Sequence, residues 1–311
     1  MDPLRRCFYG VLFFCLISIG FKFLQSNFNK EFKRKSKEKY YESSSIDQGM
    51  KMLVQERRKL VQDYCKRYRR NDTVIGKDLR YHLVFHSKKV IYCFVPKVAS
   101  SQWKKELCLL NEDNQTCSKS LHEADFKRLN HYHPEEALNM LNNYFTFMFT
   151  REPFERLLSA YKNKFLKENK IFRRAIGRNI IKLTRPNATK YALETGSGVT
   201  FPEFTKYVVK TQHLDEHWSP IDQLCHPCAI NYDFIGHYES LSQDASYLVK
   251  LAGIDDRVSF PPVHPSNTTA ELLQYYSHIP KGRISELAQI YQSDIGMFGY
   301  SFPGKLGSFY N

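Results

Sequence analysis

The sequence of 311 residues predicts an α/β fold in which helices flank a parallel β-sheet. The first observation is a set of three short apolar runs rich in β-branched and aromatic residues, at 90–95, 144–150 and 232–236. Runs of this length and composition are typical of strands buried on both faces. The second observation is that a segment with helical character follows each run. Strands that alternate with helices are typical of a parallel sheet.

The helices are predicted from the spacing of apolar residues. After the first run, Trp103, Leu107 and Leu110 fall on one side of a helix over 101–110. After the second run, a charged turn leads into a helix whose apolar side chains recur at helical spacing. These are Leu157, Leu158, Tyr161 and Phe165. The third run is followed by a predicted helix over 241–252.

The N-terminus predicts a single transmembrane helix ahead of this fold. Residues 8–21 are uncharged and mostly apolar, and the run reaches residue 24 if Lys22 extends its amine to the membrane surface. A signal peptide has a core of similar length, but no small-x-small cleavage site follows, which favours an uncleaved anchor. The predicted organisation is a cytoplasmic tail at 1–7, a transmembrane signal anchor at 8–24, a stem at 25–75 and a lumenal domain at 76–311.

Two sets of signals for the orientation of this anchor disagree. The basic residues between Lys22 and Lys39 would keep the following chain in the cytoplasm by the positive-inside rule. Glycosylation sequons and an even number of cysteines beyond the anchor favour an oxidising lumen instead. The sequon asparagines are Asn71, Asn114, Asn187 and Asn267. We therefore predict a type II membrane protein whose main domain is lumenal.

The composition predicts an anionic partner. Lys and Arg total 46 against 32 Asp and Glu, which gives a formal net charge of +14. This excess suits nucleic acid, anionic lipid, a nucleotide or an acidic polysaccharide. Nucleic acid conflicts with the anchor and the sequons, so we do not expect it as a partner. Hydrophobic residues make up 42% of the chain, which excludes global disorder.

A charged loop follows the first strand, at the edge of the sheet where open α/β folds bind ligands. It runs into a helix N-terminus, where backbone N–H groups and the helix dipole favour a phosphate. Lys97 can neutralise phosphate or sulfonate oxygens, and the hydroxyls of Ser100 and Ser101 can donate to them. The loop lacks the glycines of a Walker A motif. The alternative interpretation is a surface lysine beside a capping serine.

A second charged turn begins with Arg151, directly after the second strand. A guanidinium at a strand end can hold a phosphate bidentately, which a lysine cannot. Ser159 lies two helical turns further along and can share that phosphate. The alternative is that Arg151 and Glu155 form a salt-bridged helix start.

Three motifs resemble Golgi carbohydrate sulfotransferases. PKVASSQWKK, from Pro96, resembles their 5′-phosphosulfate-binding segment, and REPFERLLSAYKNKF, from Arg151, resembles their 3′-phosphate-binding segment. The third comprises DEHW at 215–218, LCHPC at 224–228 and YDFIGHYE at 232–239. The similarity spans about 81–300. Within this family, the sequence resembles the branch of chondroitin, dermatan and GalNAc 4-O-sulfotransferases and the natural-killer-epitope sulfotransferase. Its motifs look most like those of a chondroitin 4-O-sulfotransferase.

The resemblance implies the sulfotransferase fold, a P-loop-like parallel sheet, in a Golgi membrane protein. It implies 3′-phosphoadenosine 5′-phosphosulfate (PAPS) as the donor, without a metal. Lys97 would lie at the 5′-phosphosulfate, with Arg151 and Ser159 at the 3′-phosphate. The implied donor-binding residues are Pro96, Lys97, Val98, Ala99, Ser100, Ser101 and Gln102, together with Arg151, Glu152, Pro153, Phe154, Glu155, Arg156, Leu157, Leu158 and Ser159.

A sugar hydroxyl is a poor nucleophile, so we expect a general base to accept its proton. His217 is the first candidate, because histidine titrates near neutral pH. Glu216, His237 and Glu239 are rivals. The alternative for His217 is a structural histidine that is hydrogen-bonded beside its neighbouring tryptophan.

The pair Cys225 and Cys228 is predicted to form a local disulfide. A Cys-x-x-Cys motif also fits zinc or redox chemistry, but no second ligand pair supports zinc. A second short disulfide is expected between Cys108 and Cys117. For Cys65 and Cys93 both a free thiol and a disulfide are open, because the sequence alone does not assign connectivity.

We expect a transferase that acts on an acidic glycan, with the 4-hydroxyl of GalNAc in chondroitin or dermatan chains as the first acceptor. The run SQWKK at 101–105 is closer to the natural-killer-epitope enzyme and favours the 3-hydroxyl of a terminal glucuronic acid. A basic, membrane-tethered glycosaminoglycan-binding protein with an inert donor site is a different class. Lys97, Arg151 and Ser159 argue against that class.

Overall fold

The computed structural model describes residues 47–68, 70, 74, 76–111, 126–167, 169–261 and 268–309. Its centre is a four-stranded sheet in the order β1-β2-β3-β4. The strands are β1 His82–Phe85, β2 Val90–Cys93, β3 Phe145–Thr150 and β4 Phe234–His237. β2, β3 and β4 are parallel, whereas β1 pairs antiparallel with β2 at the edge. The predicted parallel strands and the α/β class are confirmed, and β1 was not predicted.

Aromatic side chains hold the sheet to its helices. Tyr92 of β2 stacks on Phe147 of β3 with ring centroids 4.8 Å apart. Trp103 lies across Phe147 and Phe149 at 5.3 and 5.1 Å. All four side chains are almost fully buried. The strands are therefore covered by helices, as expected of apolar parallel strands.

Helices cover the sheet and form a second layer beyond it. They are α1 at 47–67, α2 Ser100–Leu107, α3 Pro134–Asn143, α4 Pro153–Tyr161, α5 Lys170–Phe172, α6 Arg178–Thr184, α7 Lys190–Thr195, α8 Phe201–Thr211, α9 Ile221–Cys225, α10 Leu241–Leu251, α11 Thr268–Tyr276, α12 Lys281–Ile290 and α13 Gln292–Met297. The predicted helices after the three strands correspond to α2, α4 and α10. The second layer has its own core around α4, in which Tyr161, Phe165, Phe204 and Trp218 pack together.

The chain divides into two compact units, Met1–Met52 and Leu53–Asn311. Of the first unit, the structure describes only 47–52, which are helical. In the second unit, Val54 and Val61 of α1 are buried in the same core as the sheet. Arg57 donates to the Asp244 carboxylate at 2.6 Å and to the Ile235 carbonyl at 3.2 Å. The C-terminal part of the segment predicted as a stem is therefore packed onto the sheet.

The predicted anchor at 8–24 lies outside the described residues. Within the described ranges, no helix has both the length and the apolar character that a membrane crossing needs. Of the sequon asparagines, Asn187 is described and lies exposed in a turn before α7. Asn71, Asn114 and Asn267 lie outside the described residues.

The predicted local disulfide between Cys225 and Cys228 is wrong. Cys93, at the end of β2, pairs with Cys225, and Cys65 of α1 pairs with Cys228. The physical reason is that α9 ends at Cys225, which is fully buried toward β2, and a left-handed residue then reverses the chain. The two thiols therefore reach partners far away in sequence. Cys108 is also disulfide-bonded, and Cys117 lies outside the described residues.

Candidate active site

The donor loop, residues 96–102, leaves the end of β2 in an unusual backbone conformation. Lys97 and Ala99 both have positive φ, +72° and +54°, which costs non-glycine residues of order 1 kcal/mol each. Ala99 then serves as the N-cap of α2 and supplies no side-chain oxygen. The first turn of α2 therefore presents backbone N–H groups without a side-chain cap, which is the arrangement that binds phosphate-like anions.

Lys97 lies among other cations. Burial, together with the positive charges of Lys164, Arg151, Lys167 and Arg156, lowers the pKa of Lys97 from 10.5 to about 8. Several cations at one strand end repel each other until an anion joins them. An anion bound beside Lys97 would relieve this repulsion.

Arg151 joins three strand ends. Its side chain is almost fully buried, and Nη1 donates to the Lys97 carbonyl at 3.1 Å. The guanidinium lies 4.1 Å above the ring of Tyr238, which follows β4. Nη2 lies 3.4 Å from the Glu155 carboxylate, so the salt-bridged helix start is also present. That carboxylate accepts a second cation, Lys305, at 2.5 Å.

The remaining residues of the predicted donor stretch from Arg151 to Ser159 have different surroundings. Glu152 caps α4 by accepting from the Glu155 N–H at 2.7 Å, and burial raises its pKa to about 7. Ser159 is half-buried on the same helix. The apolar members are buried in the core of the second layer, which gives them a packing role. They are Phe154, Leu157 and Leu158.

Arg156 ties two loops together. Its guanidinium donates to the Pro96 carbonyl at 3.0 Å, the Ser219 carbonyl at 2.5 Å and the Glu216 carbonyl at 2.9 Å. Burial lowers the pKa of Arg156. Because these bonds use its nitrogens, Arg156 fixes the 215–219 loop against the donor loop, a role that its motif did not reveal.

His217 and Asp215 form a hydrogen-bonded dyad. Nδ1 of His217 lies 2.6 Å from Asp215 Oδ1, which also accepts the His217 backbone N–H at 3.0 Å. Burial alone would raise the pKa of Asp215, but the His217 hydrogen bonds outweigh it and hold the pKa below its ordinary value. The ionised carboxylate can only accept, so Nδ1 of His217 is the donor in this hydrogen bond and Nε2 is the ring nitrogen that remains for a substrate.

The rival bases are engaged elsewhere or lie beside the dyad. Burial lowers the pKa of His237 to about 3, and its ring stacks on Tyr300 at 5.2 Å. Glu239 accepts from the Glu152 N–H at 2.8 Å and from the Tyr300 hydroxyl at 3.2 Å. Glu216 Oε1 lies 3.9 Å from His217 Nε2. His217 therefore has the geometry of an oriented base, whereas the His237 ring is buried and the Glu239 carboxylate is occupied by two hydrogen bonds.

The ring of Phe172 links the dyad to the lysines. It meets the His217 ring edge-on at 5.6 Å, and the Lys164 amine lies 4.6 Å from its centroid. Asp215, Lys164, Tyr238 and Lys305 are site residues to which the sequence assigned no role. Lys164 lies within the second motif and Asp215 within the third, but their functions depend on contacts between distant segments. Groups of three or more metal-ligating side chains do not occur in the part of the chain that the structure describes.

A buried arginine and a half-buried lysine at adjoining strand ends, an uncapped helix start and an Asp–His dyad together suit an anionic ligand. The Sulfotransferase family model matches residues 80–301, and the chain belongs to this family. Relatives include carbohydrate sulfotransferase 11 of Rattus norvegicus, 36% identical over 82% of this chain and 78% of its own length.

Two further relatives carry related names. Carbohydrate sulfotransferase 14 of Danio rerio is 43% identical over 72% of this chain and 63% of its own length. Carbohydrate sulfotransferase 8 of Homo sapiens is 33% identical over 80% of this chain and 63% of its own length. No solved structure matches the chain. The predicted membership of the carbohydrate sulfotransferase family is confirmed.

Proposed function

We propose that the chain transfers a sulfonyl group from PAPS to a sugar hydroxyl, with the 4-hydroxyl of GalNAc in chondroitin or dermatan as the first acceptor. The observation that carries this proposal is the convergence of Lys97, Arg151 and the uncapped start of α2 at adjoining strand ends. PAPS carries anionic groups at the 3′ and 5′ positions of its ribose, and Lys97 and Arg151 supply one cation for each. Lys97 and the α2 N–H groups would hold the 5′-phosphosulfate, and Arg151 and Ser159 the 3′-phosphate.

The dyad supplies the base in this proposal. Nε2 of His217 accepts the hydroxyl proton while the acceptor oxygen forms its bond to sulfur. The bond between sulfur and the bridging phosphate oxygen breaks, and adenosine 3′,5′-bisphosphate leaves. Lys97 and the α2 N–H groups stabilise the charge that develops on that phosphate. Because positioning dominates reactions of this kind, the Arg156 bonds that align the two loops contribute to the rate.

The structure bears on the alternative acceptor, a terminal glucuronic acid. The SQWKK run that favoured it contains Trp103, which is buried in the sheet core, and Lys104, whose amine lies 3.5 Å over the Phe94 ring. Gln102 donates to Glu106 within α2 at 2.5 Å. These side chains contribute to packing and support neither acceptor, so the GalNAc proposal rests on the resemblance of the third motif.

A type II Golgi membrane protein remains our proposal for the location. The two disulfides, Cys65–Cys228 and Cys93–Cys225, support an oxidising compartment. The exposed turn at Asn187 is accessible to glycosylation. A matched test compares glycosidase-induced mobility shifts of the chain with those of an Asn187→Gln variant.

The test of function uses the full-length chain with labelled PAPS and separate acceptors: desulfated chondroitin, desulfated dermatan and a glucuronic acid-terminated oligosaccharide. We expect label on chondroitin and dermatan, at the GalNAc 4-position in disaccharide analysis. Lys97→Ala and Arg151→Ala should abolish transfer, whereas Lys59→Ala, an exposed lysine on α1, should retain it. Full activity in either site variant would contradict the donor assignment. Glycan binding without transfer would support an inert binding protein.

A further inference from the structure

A segment between α4 and the end of α6, residues 162–182, carries a large share of the positive charge. It contains eight Lys and Arg residues and one acidic residue, Glu168. Its formal charge of +7 is half of the +14 of the whole chain, within 21 residues. We call it the basic segment. A concentration of this kind produces a local field that attracts a polyanion.

The backbone of the basic segment is irregular. π-helical turns occupy Lys162–Leu166 and Arg173–Gly177, on either side of the short helix α5. Arg173 does not face solvent freely, because its guanidinium donates to the carbonyls of residues 165–167. Turns of this type are rare and are frequently found at functional sites. The irregular backbone and the Arg173 hydrogen bonds fix the direction of the following helix.

Five basic side chains of this segment are exposed and form a row. They are Lys167, Lys170, Arg174, Arg178 and Lys182. Lys170, Arg174, Arg178 and Lys182 follow one another at four-residue spacing through α5, the second π-helical turn and α6, which keeps them on about the same side. The stretch from 170 to 182 extends roughly 18 Å at the α-helical rise, and Lys167 precedes it. Among the described side chains, no carboxylate lies within ion-pair distance of Lys170, Arg174 or Lys182. Lys162 and Arg185, at the two ends, pair with Glu271 and Glu203 instead.

One end of the row reaches the reacting centre. Lys164 lies over the Phe172 ring, whose edge meets His217. The charges of Lys164 and Lys167 also act on Lys97 of the donor loop. The N-terminal part of the basic segment therefore borders both His217 and the donor loop.

We propose that the basic segment is the acceptor-binding surface, and that Lys170, Arg174 and Lys182 bind carboxylates or sulfates spaced along a linear polyanionic glycan. The proposal rests on the function proposed above and adds a requirement for acceptor length. A glycan that carries one charge near the reactive sugar contacts only the Lys164 end. A long chain also contacts the exposed row.

An anionic membrane is the competing occupant. Leu166 and Ile171 are 47% and 82% exposed beside these cations, a combination also found on membrane surfaces. The basic segment borders His217 and Lys97, and this favours the glycan, because an acceptor sugar must reach these groups whereas a bound membrane need not. Vesicle binding is therefore included as an outcome of the test.

The experiment compares the full-length chain with the triple variant Lys170→Gln, Arg174→Gln and Lys182→Gln. A matched control carries Lys59→Gln, Lys210→Gln and Lys250→Gln, three exposed lysines elsewhere. Exposed ion pairs each change an equilibrium by a factor of about two to five, so the triple variant should raise KM and Kd for desulfated chondroitin about tenfold. Transfer to a single GalNAc glycoside and the Kd for adenosine 3′,5′-bisphosphate should change less than about twofold. The control should match the unsubstituted chain.

The outcomes separate the two proposals. No transfer by the unsubstituted chain to any acceptor overturns the proposed function. Normal transfer with an unchanged chondroitin KM in the triple variant overturns this inference alone. So does a result in which the triple variant loses only its binding to phosphatidylserine vesicles, which assigns the surface to a membrane. A loss of nucleotide affinity would place the three residues in donor binding, which also contradicts the proposal.

Discussion

The proposed donor side and the proposed acceptor side of the site are both cationic, but they hold their charges in different ways. Arg151 and Arg156 are at most 2% exposed, and each is bonded to backbone carbonyls of another segment. Lys170 and Arg174 of the basic segment are exposed on a helical surface. Buried, bonded cations cannot adjust to a new ligand, whereas exposed side chains can. Under the proposed function, the difference corresponds to a rigid site for one invariant donor beside an adaptable surface for a variable glycan.

The largest expected effect is on the rigid side, from Arg151→Lys. The variant keeps the positive charge, but lysine lacks the planar fork that contacts the Lys97 carbonyl and the Tyr238 ring. We expect kcat/KM for PAPS to fall about 10²–10³-fold, the usual cost of a preorganised donor. Steady-state kinetics and the affinity for adenosine 3′,5′-bisphosphate measure this loss.

The matched control for that variant is Arg80→Lys. Arg80 also lies over a tyrosine ring, Tyr81, at 4.9 Å, but it is exposed. Its kinetics should stay within about twofold of the unsubstituted chain, because exposed charged contacts are weak. Equal losses in both variants would mean that burial at Arg151 is not what makes its charge effective.

Arg156 tests how the two sides are joined. In Arg156→Met the carbonyls of Pro96, Ser219 and Glu216 lose their donor. We expect the free energy of unfolding to fall by about 3 kcal/mol, since charged hydrogen bonds and unsatisfied buried carbonyls each contribute on this scale. Denaturant titration measures the change. Arg185→Met, which removes a partly exposed pair with Glu203, should cost up to about 1 kcal/mol.

Activity should respond to Arg156→Met beyond the loss of folded protein. The Arg156 bonds hold Glu216, and hence the dyad loop, against Pro96. Loosening this contact should lower kcat in the folded fraction more than it changes the nucleotide Kd. A variant that is destabilised but keeps full kcat would show that the dyad is positioned without this tie.

The sequence was informative where local patterns decide the structure. Strand β3, the helix after it and the positions of Lys97 and Arg151 at strand ends follow from apolar runs and charged turns. Strand β1 was missed because four residues at an edge carry little periodic signal. The charged composition of 25–75 concealed that α1 buries Val54 and Val61.

Contacts between distant segments could not be predicted. Cys225 pairs with a cysteine 132 residues away, and Cys228 with one 163 residues away, although the two are neighbours in sequence. Arg156 has the appearance of a motif residue, yet its partners come from two other loops. Each of these contacts depends on the order of the strands in the sheet, and that order cannot be predicted from a single sequence.

The smallest effect is a pH dependence that arises from Lys97 on the rigid side. Its pKa lies near 8 in the free enzyme because of burial and the nearby cations, so the amine loses its charge above that pH. Donor binding requires the charged form, and kcat/KM for PAPS reports the free enzyme. Above pH 8 it should therefore fall about tenfold for each further pH unit.

The variant Lys97→Arg supplies the matched control, because a guanidinium stays charged throughout this range. Whatever its absolute activity, its affinity for adenosine 3′,5′-bisphosphate should no longer decline between pH 8 and pH 9.5. An unchanged decline would assign the titration to another group. The triple variant of the basic segment should keep the decline of the unsubstituted chain, since Lys170, Arg174 and Lys182 are not among the main charges that lower the pKa of Lys97. A decline that moves in the triple variant would show that the two sides share one field, and the contrast between a rigid and an adaptable side would then fail.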